Sequence, residues 1–235
     1  MKNIFYTLII IFLFSCQEYV NQTKGNGEVT ISKREVTENF TKIEVSNAIA
    51  VEIEQAENNS IEVETDSNLQ SHIKTTISNG VLKISLDKSY IDAEKLIVHV
   101  NIKQLKGLET TSASSIQSVN ILKGKSLNLI ATSASKIDME AEYENITIES
   151  SSTGDVTIKG KTLKLETNAS SASSIDASEL MSNEVFAQAS SASNIIVHAI
   201  VKLDAKAESA GTISSVKRPR ELRNEETSGG EISIE

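Results

Sequence analysis

The chain has 235 residues, with 32 Asp and Glu against 23 Lys and Arg and a formal net charge of −9 at pH 7. That balance excludes nucleic acid as a partner and argues against a polybasic lipid-binding patch. One cysteine excludes an intramolecular disulfide, and 4% aromatic residues with no tryptophan give no support to a dedicated carbohydrate platform.

Residues 1–15 read as a bacterial lipoprotein signal peptide. Lys2 opens a charged start, and Ile4 to Phe14 form an apolar core too short to span a bilayer. Leu13-Phe14-Ser15-Cys16 then sets a small residue before the cysteine. Cleavage there leaves Cys16 to carry the lipid, which accounts for the lone thiol of an exported protein. The alternative is an ordinary signal peptide with an incidental cysteine. Loss of Lys2 makes the mature balance 22 minus 32, or −10. Residues 16–27 are polar and read as a tether to the membrane, and the expected location is the outer membrane, on its surface or periplasmic face.

Residues 28–235 read as a single β-helix domain. Its first part carries Val29-Thr30-Ile31, Ile43-Glu44-Val45, Val51-Glu52-Ile53, Ile61-Glu62-Val63, Val81-Leu82-Lys83-Ile84 and Leu96-Ile97-Val98-His99-Val100, which alternate or run apolar as strands do. Asn58-Asn59 and Asn79-Gly80 are turn signals, the second a hairpin marker. These strands are expected to continue the stack that follows, in longer and less regular coils.

Regular coils occupy residues 108–235. Seven near-copies of one phrase end in Ile116, Ile137, Val156, Ile175, Ile195, Ile213 and Ile232, with spacings of 21, 19, 19, 20, 18 and 19. The second copy is Thr132-Ser133-Ala134-Ser135-Lys136-Ile137 and the fourth Ser170-Ser171-Ala172-Ser173-Ser174-Ile175. Period-two segments flank the phrases, such as Leu127-Leu129-Ala131, Ile146-Ile148, Leu163-Leu165-Thr167 and Leu203-Ala205-Ala207. A fixed period near twenty with alternating strands predicts an all-β fold, a right-handed parallel β-helix of about 19–20-residue coils. Small residues at the corner let successive backbones approach, and serine hydroxyls in register bond one another or turn backbone. Gly154, Gly211, Gly229 and Gly230 are expected where a corner needs φ > 0. Residues 217–226 break the alternation and read as a loop or cap before the last strand.

Chemistry is sparse. Asp138, Asp155 and Asp176 lie beside the corner Ile or Val and are expected near one face, as a solvated polar ladder or a weak cation or sugar site. His72, His99 and His198 show no metal-ligand spacing, so no metal or cofactor is expected. Lys217-Arg218-Pro219-Arg220 is the basic cluster of an acidic chain. Arg218, Arg220, Asp155 and Asp176 are the candidate contacts to a ligand or partner. Tyr90, Tyr143 and Phe186 are expected to pack at a corner or inside.

The segments Arg34-Glu35-Val36, Phe40, Ile43-Glu44-Val45, Val51-Glu52-Ile53-Glu54-Gln55, Ile61 to Leu69 and Asn79 to Ile84, followed by Ser/Gly/Ala corners ending in Ile or Val, resemble the family described as "putative auto-transporter adhesin, head GIN domain". Ser152-Thr153-Gly154-Asp155-Val156 is the corner most similar to the family's, and Pro219 with Ser228-Gly229-Gly230 resembles its closing segment. The resemblance covers residues 28–235, with Ala in place of Gly at several corners. It implies an exported β-helical protein, commonly a lipoprotein, in an adhesive role, and fixes neither ligand nor catalytic residues. The expected function is a non-catalytic, lipid-anchored cell-envelope solenoid that binds a protein, a glycan or a second copy of itself, or serves as a scaffold. A polysaccharide-active β-helix enzyme and a periplasmic structural oligomer are the alternatives.

Overall fold

A computed structural model describes residues 23–235 except Ser89 and Tyr90. Strands Lys136–Ser150, Asp155–Ala169, Ser174–Ala189 and Asn194–Glu208 lie parallel, each paired in turn with the next coil. The pairing stacks Ile116, Ile137, Val156, Ile175, Ile195, Ile213 and Ile232 in one column. A second column, on the opposite wall, runs Leu127, Ile146, Leu165, Val185, Leu203, Leu222. Both are buried apart from their last members, and each enclosed side chain contributes on the order of 1.5–3 kcal/mol. The chain is therefore a β-solenoid, with equivalent residues of successive coils sharing one core.

Each long strand bends once. In Lys136–Ser150 the inward residues are Ile137, Met139, Ala141 and Tyr143, then Ile146, Ile148 and Ser150. Glu144 and Asn145 both face outward, so the alternation slips by one at this point. A coil thus has two walls, a tight corner at the Ser/Ala phrase and a bend opposite it.

The corner is a two-residue turn with both central residues in the left-handed region. Ser112 and Ala113 have φ of 55° and 60°, Ser133 and Ala134 the same, and Ser171 and Ala172 56° and 58°. L-residues there cost about 1–2 kcal/mol each. Bonds between coils offset that cost. The Ala113 N–H donates to Ser133 O (3.0 Å), Ala134 to Ser152 O (3.0 Å), Ala172 to Ser191 O (3.0 Å) and Ala192 to Ser209 O (3.1 Å). The buried serine that closes the turn adds to this. Ser173 Oγ accepts from Ser170 N (3.1 Å) and donates to Ser150 O of the previous coil (2.8 Å), and Ser193 repeats the pattern with Ser190 N and Ala169 O.

Glycine plays a different part from the one expected. Of the four corner glycines Gly154, Gly211, Gly229 and Gly230, only Gly229 has a positive φ, 77°. Gly154, Gly211 and Gly230 occupy the position of Ser173, where their backbone lies so close to the previous coil that a Cβ would run into the carbonyl oxygen of Ala131, Ala189 or Ala207. Ser and Ala bear the left-handed conformation, and glycine permits close approach.

An eighth corner precedes the seven. Asn47 and Ala48 have φ of 69° and 56°, Val45 pairs with Thr110, and Val51 pairs with Ile116. Residues 56–106 are inserted between it and the next coil. Within the insertion, Val81–Leu86 and Leu96–Ile102 continue the parallel stack, pairing with Lys42–Val45 and Ala50–Gln55. The remaining strands depart from the expected continuation. Val29–Arg34 pairs antiparallel with Ser60–Asp66, Ser60–Asp66 with Leu96–Ile102, and Ile73–Ser78 with Val81–Leu86 through the Asn79-Gly80 hairpin. These antiparallel strands cover one end of the stack. At the other end, residues 217–226 are no cap, because Glu221–Thr227 is a regular strand in register with Lys202–Glu208.

Cys16 and the signal segment lie outside the described residues. Residues 23–27, assigned above to the tether, are docked. Thr23–Lys24 pairs with Ile91–Asp92, and the fully buried Asp66 accepts from Gly27 N (2.6 Å) and Glu94 N (2.9 Å). Burial pushes the Asp66 carboxyl up, but these backbone donors outweigh it and hold the group below its ordinary 3.8.

Two outcomes follow from these contacts. Gly154→Ala lowers stability by about 1–3 kcal/mol in denaturant unfolding, whereas Ala113→Gly, which relieves a left-handed L-residue, is neutral or stabilising. A depressed carboxyl stabilises the fold above its unfolded value and loses that contribution as pH falls through the folded one. Wild-type stability therefore drops below about pH 4, and Asp66→Asn, already weakened at neutral pH, shows a smaller drop and faster tryptic cleavage after Lys24.

Candidate functional site

The four polar candidates fall on separate parts of the solenoid. Asp155 sits between Lys136 and Ser174 in register, and Asp176 between Thr157 and Ile196. They share an outer wall but not a column, and Asp138 stacks on Thr157 rather than on an acid. Asp176 Oδ1 accepts from Ser178 N (3.0 Å), next to the register shift between Ala177 and Met181. Arg218 and Arg220 are exposed on either side of the buried Pro219, in the bend before Glu221–Thr227, two coils beyond Asp176 and three beyond Asp155. The fold brings neither pair to the other. Among the described residues no group of three His, Cys, Asp or Glu is placed to hold a metal.

Two of the three histidines, His72 and His99, pair with carboxylates. His72 Nδ1 lies 2.9 Å from Asp87 Oδ1, and His99 bridges Glu52 and Glu64 at 3.0 Å each. The second contact ties the antiparallel end to the parallel stack, since Glu64 lies on Ser60–Asp66 and Glu52 on Ala50–Gln55. Hydrogen bonds from Lys95 and then His99 hold Glu64 below the usual carboxylate range.

Concave, apolar surface is found at the bend. Gly124, Glu142, Tyr143, Lys161, Leu163, Met181, Asn183 and Ile200 are among the residues lining a groove of about 490 Å³, within the range of small-ligand sites. Leu163 is 56% exposed and Met181 49%. Among the described residues six large apolar side chains are exposed, and two of them, Leu163 and Met181, line this groove, whereas Val119 and Ile121 lie ahead of it, before Leu122. The alternation slip explains Leu163. Thr162 and Leu165 point inward, so Leu163 and Lys164 are two outward residues in a row. Sequence alternation alone had grouped Leu163 with Leu165 on the buried side.

Tyr143 forms the floor. Its ring is buried, its hydroxyl donates to Leu105 O (3.0 Å), and burial pushes its pKa up to about 12. Gly124 pairs with Tyr143 in the adjacent coil, where a Cβ would strike the ring. Glu142, on the wall, is held by Lys123 (3.1 Å) and Lys161 (3.3 Å), whose hydrogen bonds keep its carboxyl low. Past the lip, Phe186 lies on the outer face of a wall between inward Val185 and Ala187, neither at a corner nor inside as expected. Lys164 and Lys202 place Nζ 5.0 Å and 5.1 Å from its ring centre. Among the described residues neither lysine is within ion-pair distance of a carboxylate. Tyr90 lies outside the described residues.

Comparison with known proteins supports the architecture. The family model described as "Putative auto-transporter adhesin, head GIN domain" matches residues 39–219. No curated protein sequence matches the chain. A crystal structure of a putative adhesin from Bacteroides fragilis superposes with a TM-score of 0.85 at 18% identity, covering 90% of this chain and 99% of its own. A putative adhesin from Parabacteroides distasonis gives 0.76 at 20% identity, covering 92% and 100%. A putative lipid binding protein from the same species gives 0.72 at 19%, covering 92% and 100%. At these identities the likeness establishes the fold.

Because Gly124 leaves room for the Tyr143 ring, Gly124→Val displaces that ring into the groove. The expected cost is about 1–3 kcal/mol, read as a lower denaturation midpoint together with a lower tyrosine pKa in ultraviolet titration.

Proposed function

The chain belongs to the putative auto-transporter adhesin, head GIN domain family, and from that membership we propose a non-catalytic, lipid-anchored binding solenoid of the bacterial cell envelope. The observation that carries the reading is the apolar groove along one edge of the stack, where Leu163 and Met181 stand exposed, in contrast to the dispersed acids of the walls. Monomeric proteins rarely keep such a strip uncovered without a ligand or partner. Most glycoside hydrolases bring two carboxylates to one bond, and Asp155 and Asp176 do not converge. The lipid-binding description of one Parabacteroides structure is compatible with an apolar ligand on this edge.

The Leu13-Phe14-Ser15-Cys16 sequence supports anchoring through Cys16. Six residues separate Cys16 from the docked Thr23, and the seven steps between them reach at most about 25 Å. The antiparallel end is then held near the membrane. The coils extend away from it, for roughly 50 Å from Val29–Arg34 to Glu231–Ile234 at about 4.8 Å per strand.

Protease treatment of intact cells tests display, with Cys16→Ala as the anchoring control. The expected outcome is digestion of the wild-type protein while a periplasmic marker survives, with the Cys16→Ala protein lost from the membrane fraction. Protection until the outer membrane is breached would contradict surface adhesion.

A further inference from the structure

We propose that the groove at the bend binds a long-chain fatty acid, its acyl chain along Leu163, Met181 and Ile200 and its carboxylate at Lys164 and Lys202. The proposal rests on the binding role above and names the ligand class. Successive coils supply Tyr143, Thr162, Ser182 and Ala199 in register above Gly124. The groove, whose lining runs from Gly124 to Ile200 over these coils, therefore follows the solenoid axis for about 19 Å. Its shape is a narrow strip, suited to a straight chain.

A peptide strand is a poor occupant. It would need backbone donors and acceptors, and the coils at this bend already spend theirs on each other, from Leu122–Ala141 through Thr162–Ser182. An acyl chain needs none. The rim supplies the complementary charge. Lys164 follows Leu163 directly and Lys202 follows Ile200 by two residues. Glu184 lies between the two lysines in register, yet both ammonium groups lean over Phe186 instead. An exposed cation–π contact is weak, so a ligand carboxylate readily displaces it. Lys123 and Lys161, by contrast, are engaged by Glu142.

The test is photolabelling of the full-length chain in isolated, opened membranes with a diazirine analogue of palmitic acid. Labelling is expected on peptides carrying Leu163, Met181 and Ile200, and is displaced by excess palmitate. Leu163→Glu with Met181→Glu cuts it by about tenfold or more, while Val119→Glu, exposed but outside the groove, leaves it unchanged. All three positions are solvent-exposed, so unchanged melting temperatures verify folding. Lys164→Gln with Lys202→Gln weakens labelling by the acid several-fold and leaves labelling by the corresponding uncharged alcohol unaltered. Label confined to other regions, label that excess palmitate does not displace, or full labelling of the Leu163→Glu/Met181→Glu chain would overturn the site. Equal labelling of the wild type by acid and alcohol would overturn the role of the lysines. Opened membranes remove any dependence on which side the protein is displayed. A negative result here leaves the protease experiment to judge display separately.

Discussion

At each corner a backbone N–H in the left-handed region donates to the carbonyl of the next coil, and this bond sets the register of both walls. A shift by one residue would turn every inward Ile and Leu outward. The stacked corners prevent that shift, because the ladder passes through the turn without interruption, from Val45 and Thr111 at one end to Ala210 and Ser228 at the other. The cost of left-handed L-residues is thus tied to a gain that exists only when coils are stacked. An isolated coil would bear the strain without the bond, which is why the arrangement is cooperative.

The two edges of the solenoid differ for the same reason. The corner edge must be small, since side chains there stand where successive backbones meet, and it carries Ser and Ala. The bend edge is released from that demand. Its alternation slips, two residues face outward together, and their identity is free to vary from coil to coil. Leu163, Met181 and Ile200 occupy this freer edge, with Tyr143 beneath them and Lys164 and Lys202 beside them. A rigid corner and a permissive bend divide stability from recognition within one coil.

Much of this was legible in the residues. The column Ile116 to Ile232 is visible as a spacing near nineteen, and Asn79-Gly80 as a hairpin, because both are local patterns. The eighth corner was hidden because Asn47-Ala48 lacks the serine phrase and residues 56–106 separate it from its neighbour. The antiparallel end was illegible because pairing direction depends on long-range contacts, such as Val29–Arg34 with Ser60–Asp66. Residues 217–226 look irregular because Asn224 and Glu226 stand in register with the buried Ala205 and Ala207 of the previous coil, yet the backbone ladder and Leu222 keep Glu221–Thr227 in place. The groove was missed for a related reason. Period-two reasoning continues through the bend, whereas the backbone skips a phase there and turns Leu163 to solvent. Phe186, expected at a corner or inside, stands outward because it alternates with the inward Val185 and Ala187.

Hydrogen exchange of the corner amides tests the central claim most directly. The side chains of Ala113, Ala134, Ala172 and Ala192 are exposed, so ordinary surface turns would exchange quickly at these positions. If the inter-coil ladder holds the register, their amides exchange as slowly as those of the buried strand residues beside them, with protection approaching that of global unfolding. Rapid exchange at these four amides, with slow exchange in the adjoining strands, would show that the corners are merely connections and contradict the account.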